Sequence, residues 1–224
     1  EVQKAIGAVH AWGYDLNAAC SGFILALNTA QSYIRSGLVK TALVIGAEKM
    51  SRIVDWKDRG TCILFGDGAG AVVLRGEESE SAEAVYTAMA HSAGDKGEAL
   101  TLQYGTEETS VIRMDGQAVF KFAVRKVPEI IEEMLKKADV SREAVDYFVL
   151  HQANRRIIEA VAKRVGVEIE KFPMNLGEYA NTSAASVPIL LNEMNRDGKL
   201  KRGQKIILAG FGAGLTWAGC LMEW

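Results

Sequence analysis

Apolar and polar positions alternate along this chain in a pattern that switches from strand-like to helix-like and back. Residues 14–20, Tyr-Asp-Leu-Asn-Ala-Ala-Cys, make a short strand-like run. From Ser21 to Ser36, Phe23, Ile24, Leu27 and Ile34 return at the spacing of one helix face. Gly37 ends that helix, and Thr41 to Gly46 is an uninterrupted apolar run of the kind found in strands buried on both faces. Strand, helix, strand in this order returns the chain parallel to itself, so the pattern predicts a parallel sheet with helices over its faces.

The same grammar returns near the end. Asn181-Thr182-Ser183 opens a helical stretch carrying Val187, Leu190, Leu191 and Met194, closed by Gly198 and followed by a strand from Lys205 to Gly210. Counted back from the closing glycines, Cys20 and Asn181 each lie seventeen residues upstream, which pairs them as equivalent helix starts. Two glycine turns echo each other as well, Phe65-Gly-Asp-Gly-Ala-Gly70 and Gly210-Phe-Gly-Ala-Gly214. The pattern indicates an internal duplication, with one half over residues 1–80 and the other over 81–224. Between the copies, Ala84 to Ala90 reads as a strand and Gly94 to Asp115 as a polar, loop-rich stretch. Gln117 to Ala138 is helical by spacing, with Pro128 expected to kink or split it. Asp146 to Leu150 is a buried strand ending at His151, and Asn154 is placed to cap a helix from Arg155 to Val165.

Composition narrows the class. Over 224 residues, 49% are hydrophobic and 24% charged, the balance of a globular protein rather than a disordered or fibrous one. A formal net charge of −2 gives no global pull toward nucleic acid or an acidic membrane. The three cysteines, Cys20, Cys62 and Cys220, are widely spaced with no CxxC pair, which suggests neither a disulfide framework nor a zinc site and fits reduced thiols in a cytoplasm. The opening residues Glu1-Val2-Gln3-Lys4 do not form a signal sequence, and no apolar stretch approaches the length of a membrane span.

Three side chains carry candidate chemistry, each at a strand end or a helix start, where open αβ sheets place their sites. At Cys20 the N–H groups and dipole of the following helix would lower the thiol pKa and favour the nucleophilic thiolate, against the commoner fate of a buried core cysteine. His151 is polar at the end of a wholly apolar strand, which suits a hydrogen-bond donor or base as well as a satisfied core histidine. Asn181 reads first as an ordinary N-cap; its pairing with Cys20 in the duplication makes it a site candidate. His10 and His91 lack such surroundings, Cys62 and Cys220 read as core residues in apolar strands, and Asp67 reads as a holder of backbone in its glycine turn. Neither glycine turn has the GxxxxGK[ST] pattern, so nucleotide binding is unsupported.

Cysteine, histidine and asparagine in that order also describe papain-like proteases, but C-G-[SA]-C-[WY] is absent around Cys20. The segments Asp15-Leu-Asn-Ala-Ala-Cys-Ser-Gly-Phe23, Leu64-Phe-Gly-Asp-Gly-Ala-Gly70, His151-Gln-Ala-Asn154 and Asn181-Thr-Ser-Ala-Ala-Ser186 together resemble β-ketoacyl-[acyl-carrier-protein] synthase III, a thiolase-fold condensing enzyme. The resemblance runs from the first residues to Trp224. It implies an α/β, thiolase-like fold of duplicated βαβ halves in αβαβα layers. Because the family's proteins are longer, it also implies that about the first quarter to third of the family domain is missing and the first half is incomplete.

By that resemblance the chain is a cytoplasmic, homodimeric acyltransferase of fatty acid biosynthesis, joining an acyl-coenzyme A primer to malonyl-acyl carrier protein. It implies Cys20, His151 and Asn181 as catalytic residues, with an oxyanion hole from the backbone of Cys20 and Ala213. Coenzyme A contacts fall on Arg59, Gly116, Gln117, Phe120 and Ala153, and a carrier-protein dock on Arg155, Arg156 and Lys163. No metal and no cofactor is implied, coenzyme A being part of the substrate, and neither nucleic acid nor membrane is expected as a partner. Two other readings stay open: a chalcone-synthase-like or other coenzyme A condensing enzyme, and a non-catalytic thiolase-fold fragment that folds with a partner chain.

Overall fold

In the computed structural model, which describes residues 1–77, 85–104 and 110–224, one helical turn, α1 (Val2–Ala5), precedes an irregular stretch over residues 11–18. A 3-10 turn, Ala19–Ser21, then leads into α2 (Gly22–Arg35), β1 (Thr41–Glu48) and β2 (Gly68–Arg75). The second half runs through β3 (Tyr86–Ser92), a hairpin of β4 (Leu100–Tyr104) and β5 (Ser110–Met114), α3 (Gly116–Ala138), β6 (Tyr147–Leu150), α4 (Arg155–Val165) and α5 (Leu176–Tyr179). Another 3-10 turn, Ser183–Ala185, leads into α6 (Ser186–Arg196), β7 (Lys205–Gly212) and β8 (Thr216–Glu223).

The larger sheet has the order β3-β8-β7-β6, and alternate side chains of its central strands enter different cores. Ile207, Ala209 and Phe211 of β7 pack with α3 and α4. Ile206 and Leu208 pack on the opposite face with Phe23, Ile24 and Leu27 of α2 and with Leu190, Leu191 and Met194 of α6. The far side of α2 and α6 carries β1 and β2 through Val44 and the partly buried Val72 and Leu74. The described residues therefore stack as helices, sheet, helices, sheet, four of the five expected layers, and one core joins both halves. The expected boundary at residues 80 and 81 lies outside the described residues, as does Ala84.

Several expectations need correction. Among the described strands only β6 and β7 pair in parallel; β1 with β2, β3 with β8 and β7 with β8 are antiparallel, because in each half the strand after the long helix is followed by one that runs back beside it rather than by a helical crossover. Residues 14–18 form no strand and find no pairing partner among the described residues. The run at Thr41–Gly46 is buried on one face only, leaving Leu43 and Ile45 exposed beside Val73 of β2. The stretch expected to be loop-rich holds a 3-10 helix, Gly94–Ala99, and the β4–β5 hairpin, though residues 105–109 lie outside the described set. Cys62 is half-buried in a turn rather than in a strand, whereas Cys220 is buried in β8.

Pro128 does not split α3, which runs unbroken over 23 residues. A proline deprives the carbonyl four residues upstream of its helical donor. That carbonyl belongs to Val124, and Arg164 of α4 supplies a replacement, its Nη1 donating to Val124 O at 3.5 Å.

The duplication is real, but its register differs from the count off the closing glycines. Helix, strand, strand recurs as α2-β1-β2 and α6-β7-β8. In both copies the 3-10 turn opens with a residue in the left-handed region, Ala19 (φ 46°) and Ser183 (φ 50°), and an asparagine two residues earlier accepts its N–H, Asn17 at 3.1 Å and Asn181 at 2.9 Å. Cys20 therefore corresponds to Ala184, and Asn181 to Asn17. The count misleads because α2, at 14 residues, is a turn longer than α6, at 11. The two glycine turns are not equivalent either: Gly68 and Gly70 begin β2, while Gly210 and Gly212 end β7.

Candidate active site

The turn carrying Cys20 sits directly on the end of β7. A side chain at Gly210 would meet Cys20 O at 3.2 Å, and one at Gly212 would meet Cys20 Cβ at 2.9 Å and its N at 3.0 Å, so only glycine lets the strand pass this close. The hydroxyl of Ser21 donates to Thr216 O at 3.3 Å and accepts from Thr216 Oγ1 at 3.1 Å, tying the same turn to the start of β8. The symmetric contact lies in the other half, where Gly46 of β1 passes beneath the turn at Ala184.

His151 follows β6, and its neighbours explain the polar tetrapeptide after that apolar strand. Gln152 is a clamp: its amide donates to Leu150 O at 2.8 Å and its Oε1 accepts Asn175 N–H at 3.1 Å. Asn154 caps α4 by accepting Arg156 N–H at 2.8 Å, as the sequence predicts. The imidazole is 2% exposed, edge-on to Phe211, with Nδ1 2.7 Å from Ser186 Oγ. Ser186 Oγ also accepts Gln152 N–H at 3.2 Å, leaving its own proton to give to Nδ1. That assignment puts the imidazole proton on Nε2. Burial pulls His151 down to about 4, so it is neutral at physiological pH: a donor rather than a cation.

Asn181 is fixed on both sides. Its backbone pairs with the Leu64–Gly66 turn, accepting Gly66 N–H at 3.0 Å and donating to Leu64 O at 2.9 Å. Gly66 has no room for a side chain, since a Cβ there would lie 2.4 Å from Tyr179 O. Asp67 holds backbone as expected, accepting Ser51 N–H at 2.7 Å and Ser51 Oγ–H at 2.6 Å. With the Asn181 carboxamide oxygen committed to Ser183 N–H, its NH2 group is the end left for a ligand.

Cys20, His151 and Asn181 line one pocket of about 120 Å³, floored by Phe65, Phe211 and Gly212. Of the expected coenzyme A contacts, Gly116, Phe120 and Ala153 line it too, with Phe120 36% exposed. Arg59 and Gln117 are exposed and off its lining, and Gln117 N–H is spent on the Asp115 cap. Ala213 lies just past Gly212 and outside the lining, its carbonyl accepting from Thr216 Oγ1. Arg155, Arg156 and Lys163 are exposed on α4, with Arg155 paired to Glu159 at 2.7 Å.

The thiol departs from the sequence expectation. Cys20 lies in the 3-10 turn, two residues ahead of α2, and is 9% exposed. Burial pushes it up to about 11; a hydrogen bond from Ser183 opposes that rise and the Glu48 carboxylate adds to it. Three polar groups close to the site escape a reading of sequence alone. Ser186 and Ser183 lie inside the motif at Asn181 but look like helix-start residues. Glu48 ends an apolar strand just as His151 does, a signal that could have found it.

Two packed repeats with a cysteine elbow, a buried neutral imidazole and a carboxamide around one cavity define a thiolase-fold condensing acyltransferase. Residues 14–94 match the family described as 3-oxoacyl-[acyl-carrier-protein (ACP)] synthase III, and residues 135–224 match its C-terminal region. The β-ketoacyl-[acyl-carrier-protein] synthase III of Microcystis aeruginosa is 46% identical over 237 residues, taking in 100% of this chain and 71% of the relative. That of Streptococcus mutans is 47% identical over 234 residues, with 99% and 71% covered. The crystal structure of 3-oxoacyl-[acyl-carrier-protein] synthase III from Aquifex aeolicus superposes with a TM-score of 0.93 at 45% identity, over 100% of this chain and 70% of that one. The chain belongs to the β-ketoacyl-[acyl-carrier-protein] synthase III family.

Proposed function

We propose that the chain transfers an acyl group, most simply acetyl, from coenzyme A to Cys20 and condenses it with malonyl-acyl carrier protein, the step that initiates fatty acid synthesis. The observation that carries this reading is the convergence of Cys20, His151 and Asn181 on one cavity of family-matching sequence. Cys20 attacks the primer thioester and coenzyme A leaves as its thiol. The malonyl thioester then loses carbon dioxide. His151 Nε2–H and Asn181 Nδ2–H donate to its carbonyl oxygen as negative charge gathers there, in a pocket dry enough for those bonds to count. The resulting carbanion attacks the acyl-cysteine carbonyl, whose oxyanion is held by the backbone N–H groups of Cys20 and Ala213, and the thiolate is expelled.

A neutral His151 suits this role, because a donor is needed beside the enolate and no proton has to be removed by it. No cofactor enters the scheme. Phe120 and Gly116 at the pocket mouth would flank the pantetheine arm with Ala153; Arg59 and Gln117 would meet the rest of coenzyme A beyond the lining. Exposed Arg155, Arg156 and Lys163 on α4 offer positive charge to an acidic carrier protein. A cytoplasmic homodimer is the assembly this reading takes.

The test is intact-mass analysis after incubation with acetyl-coenzyme A, followed by addition of malonyl-acyl carrier protein. One acetyl adduct on Cys20, absent in Cys20→Ala and discharged as acetoacetyl-carrier protein, supports the proposal. Extension from malonyl-coenzyme A instead would indicate a chalcone-synthase-like enzyme. An adduct unchanged in Cys20→Ala would reject the nucleophile, and no adduct without an added partner chain would favour a fragment that works only when complemented.

A further inference from the structure

Both donors of the decarboxylation step depend on one short segment of the second half, residues 181–186. Asn181 opens it, with its carboxamide oxygen held by Ser183 N–H at 2.9 Å. Ser186 closes it, with Oγ 2.7 Å from His151 Nδ1. Between them Ser183 holds a left-handed φ of 50°, a conformation that costs free energy for any residue with a side chain and persists only where its surroundings fix it. The segment lies over β1: a Cβ on Gly46 would meet Ala184 O at 2.7 Å and Ala185 Cα at 3.1 Å. Two residues along a strand the side chain returns to the same face, and there β1 has Glu48. Its Oε1 accepts Ser183 Oγ–H at 3.1 Å and Ala184 N–H at 3.4 Å. Burial raises the pKa of Glu48, and these two donors oppose the rise.

The duplication supplies an internal comparison. Asn17 holds Ala19 N–H at 3.1 Å much as Asn181 holds Ser183 N–H, but Asn17 is exposed and off the pocket lining. Its turn has Ala19 in place of Ser183, and the strand beneath it has Gly212 in place of Glu48. Of the two copies, the one with hydroxyl and carboxylate is the one whose asparagine reaches the pocket. The turn at Cys20 rests on bare strand; the turn at Ala184 is gripped from below.

We propose that Glu48 is a positioning residue for malonyl decarboxylation. By accepting from Ser183 Oγ and Ala184 N it holds residues 181–186 where the Asn181 carboxamide faces the enolate oxygen and Ser186 seats the His151 ring. Glu48 is off the pocket lining, so it acts through this segment and not on substrate. A carboxylate of the first half thus sets the donors of the second. Displacing such a donor by about 1 Å is worth on the order of a hundredfold in rate.

This inference rests on the decarboxylation half of the proposed function, and its test separates the two. Three quantities are followed in wild type, Glu48→Ala, Glu48→Gln, Ser183→Ala and the double alanine variant. They are carbon dioxide release from malonyl-acyl carrier protein, acetylation of Cys20 by acetyl-coenzyme A, and the NMR signals of the Asn181 carboxamide, assigned by their absence from Asn181→Ala. Glu48→Ala should lower kcat for decarboxylation by about ten- to a hundredfold with KM within about threefold, and should displace the Asn181 signals. Glu48→Gln keeps the accepting oxygen, and should return kcat to within about threefold of wild type and the signals to their wild-type positions. Ser183→Ala should lose about threefold or more, and the double variant should be no slower than Glu48→Ala, since both changes break one contact. Acetylation should slow by no more than about threefold in any of them, because the Cys20 turn is set by Gly212 and Thr216.

A folded Glu48→Ala protein that decarboxylates with the wild-type kcat would overturn the proposal. So would Glu48→Gln as slow as Glu48→Ala, which would make charge rather than hydrogen bonding the requirement. Equal loss of decarboxylation and acetylation would overturn it in favour of a scaffold role. Should Glu48→Ala not fold, wild-type kcat and unmoved Asn181 signals in Ser183→Ala would overturn it instead. A wild-type protein that releases no carbon dioxide would refute the condensing reading. Asn181 signals displaced in Glu48→Ala and restored in Glu48→Gln would then still support the positioning role, and signals unmoved in both would overturn it.

Discussion

Replacing Gly212 by alanine places one methyl group between a sheet and a nucleophile. The new Cβ would lie 2.9 Å from Cys20 Cβ and 3.0 Å from its N, where ordinary contact begins at 3.4 Å, so one side must retreat by about half an ångström. Neither gives easily: β7 is paired on both edges, and the Cys20 turn is tied to Thr216. Overpacking of this kind costs about 1–3 kcal/mol. Its effect on rate is larger than its effect on folding, since a misplacement of about 1 Å at a reacting atom is worth on the order of a hundredfold. We expect Gly212→Ala to lower the rate constant for Cys20 acylation by about ten- to a hundredfold while the protein still melts cooperatively. Gly177→Ala, whose added Cβ meets nothing within 4 Å, is the control. A folded Gly212→Ala protein acylated at the wild-type rate would refute the claim that β7 fixes the thiol by contact.

Three further outcomes follow from other parts of the structure. Burial holds the folded-state pKa of His151 at about 4 against 6.5, so the unfolded chain binds the extra proton between those values. Stability should therefore be fully present above about pH 6.5 and fall by up to about 3 kcal/mol as pH drops through the folded value; urea titrations of wild type should show this limb and those of His151→Ala should not. Ser186→Ala removes the partner of both His151 Nδ1 and Gln152 N–H, and should cost about 1–3 kcal/mol in urea unfolding together with about tenfold or more in malonyl decarboxylation. Unchanged decarboxylation would show that Ser186 does not orient the imidazole. Arg164→Ala strands the Val124 carbonyl opposite Pro128 and should destabilise by about 1 kcal/mol without altering acylation, which thermal melting and the adduct assay check together.

Local pattern carried much of this fold. The α2, α3, α4 and α6 helices follow from spacing and end signals, because a helix satisfies its backbone within its own segment and announces itself through periodicity. The polar break after β6 at His151 and the cap at Asn154 are equally local. What escaped the sequence depends on partners far along the chain. Residues 14–18 have strand-like composition but pair with no strand among the described residues, and β1 has an apolar run with only one covered face. The one-turn difference between α2 and α6 shifted the apparent symmetry and paired Cys20 with the wrong residue; Asn181 is nevertheless in the pocket, as the equivalent of Asn17.

Electrostatics separate the two levels most clearly. A helix start downstream of Cys20 suggests a lowered thiol pKa, but the tertiary enclosure that only the packed halves supply reverses the sign. Two groups that bear on the thiol there, Ser183 and Glu48, are 135 positions apart and meet through the contact of β1 with the second half's turn. No window of sequence holds both.

The division of labour in the pocket is tested most directly by carbon dioxide release from malonyl-acyl carrier protein with the nucleophile removed. Cys20→Ala should still decarboxylate it, because the imidazole and carboxamide that steady the enolate are untouched, while His151→Ala and Asn181→Ala should release little or none. Equal loss of carbon dioxide release in all three would contradict a site in which the thiol holds the acyl group and the other two side chains carry the charge.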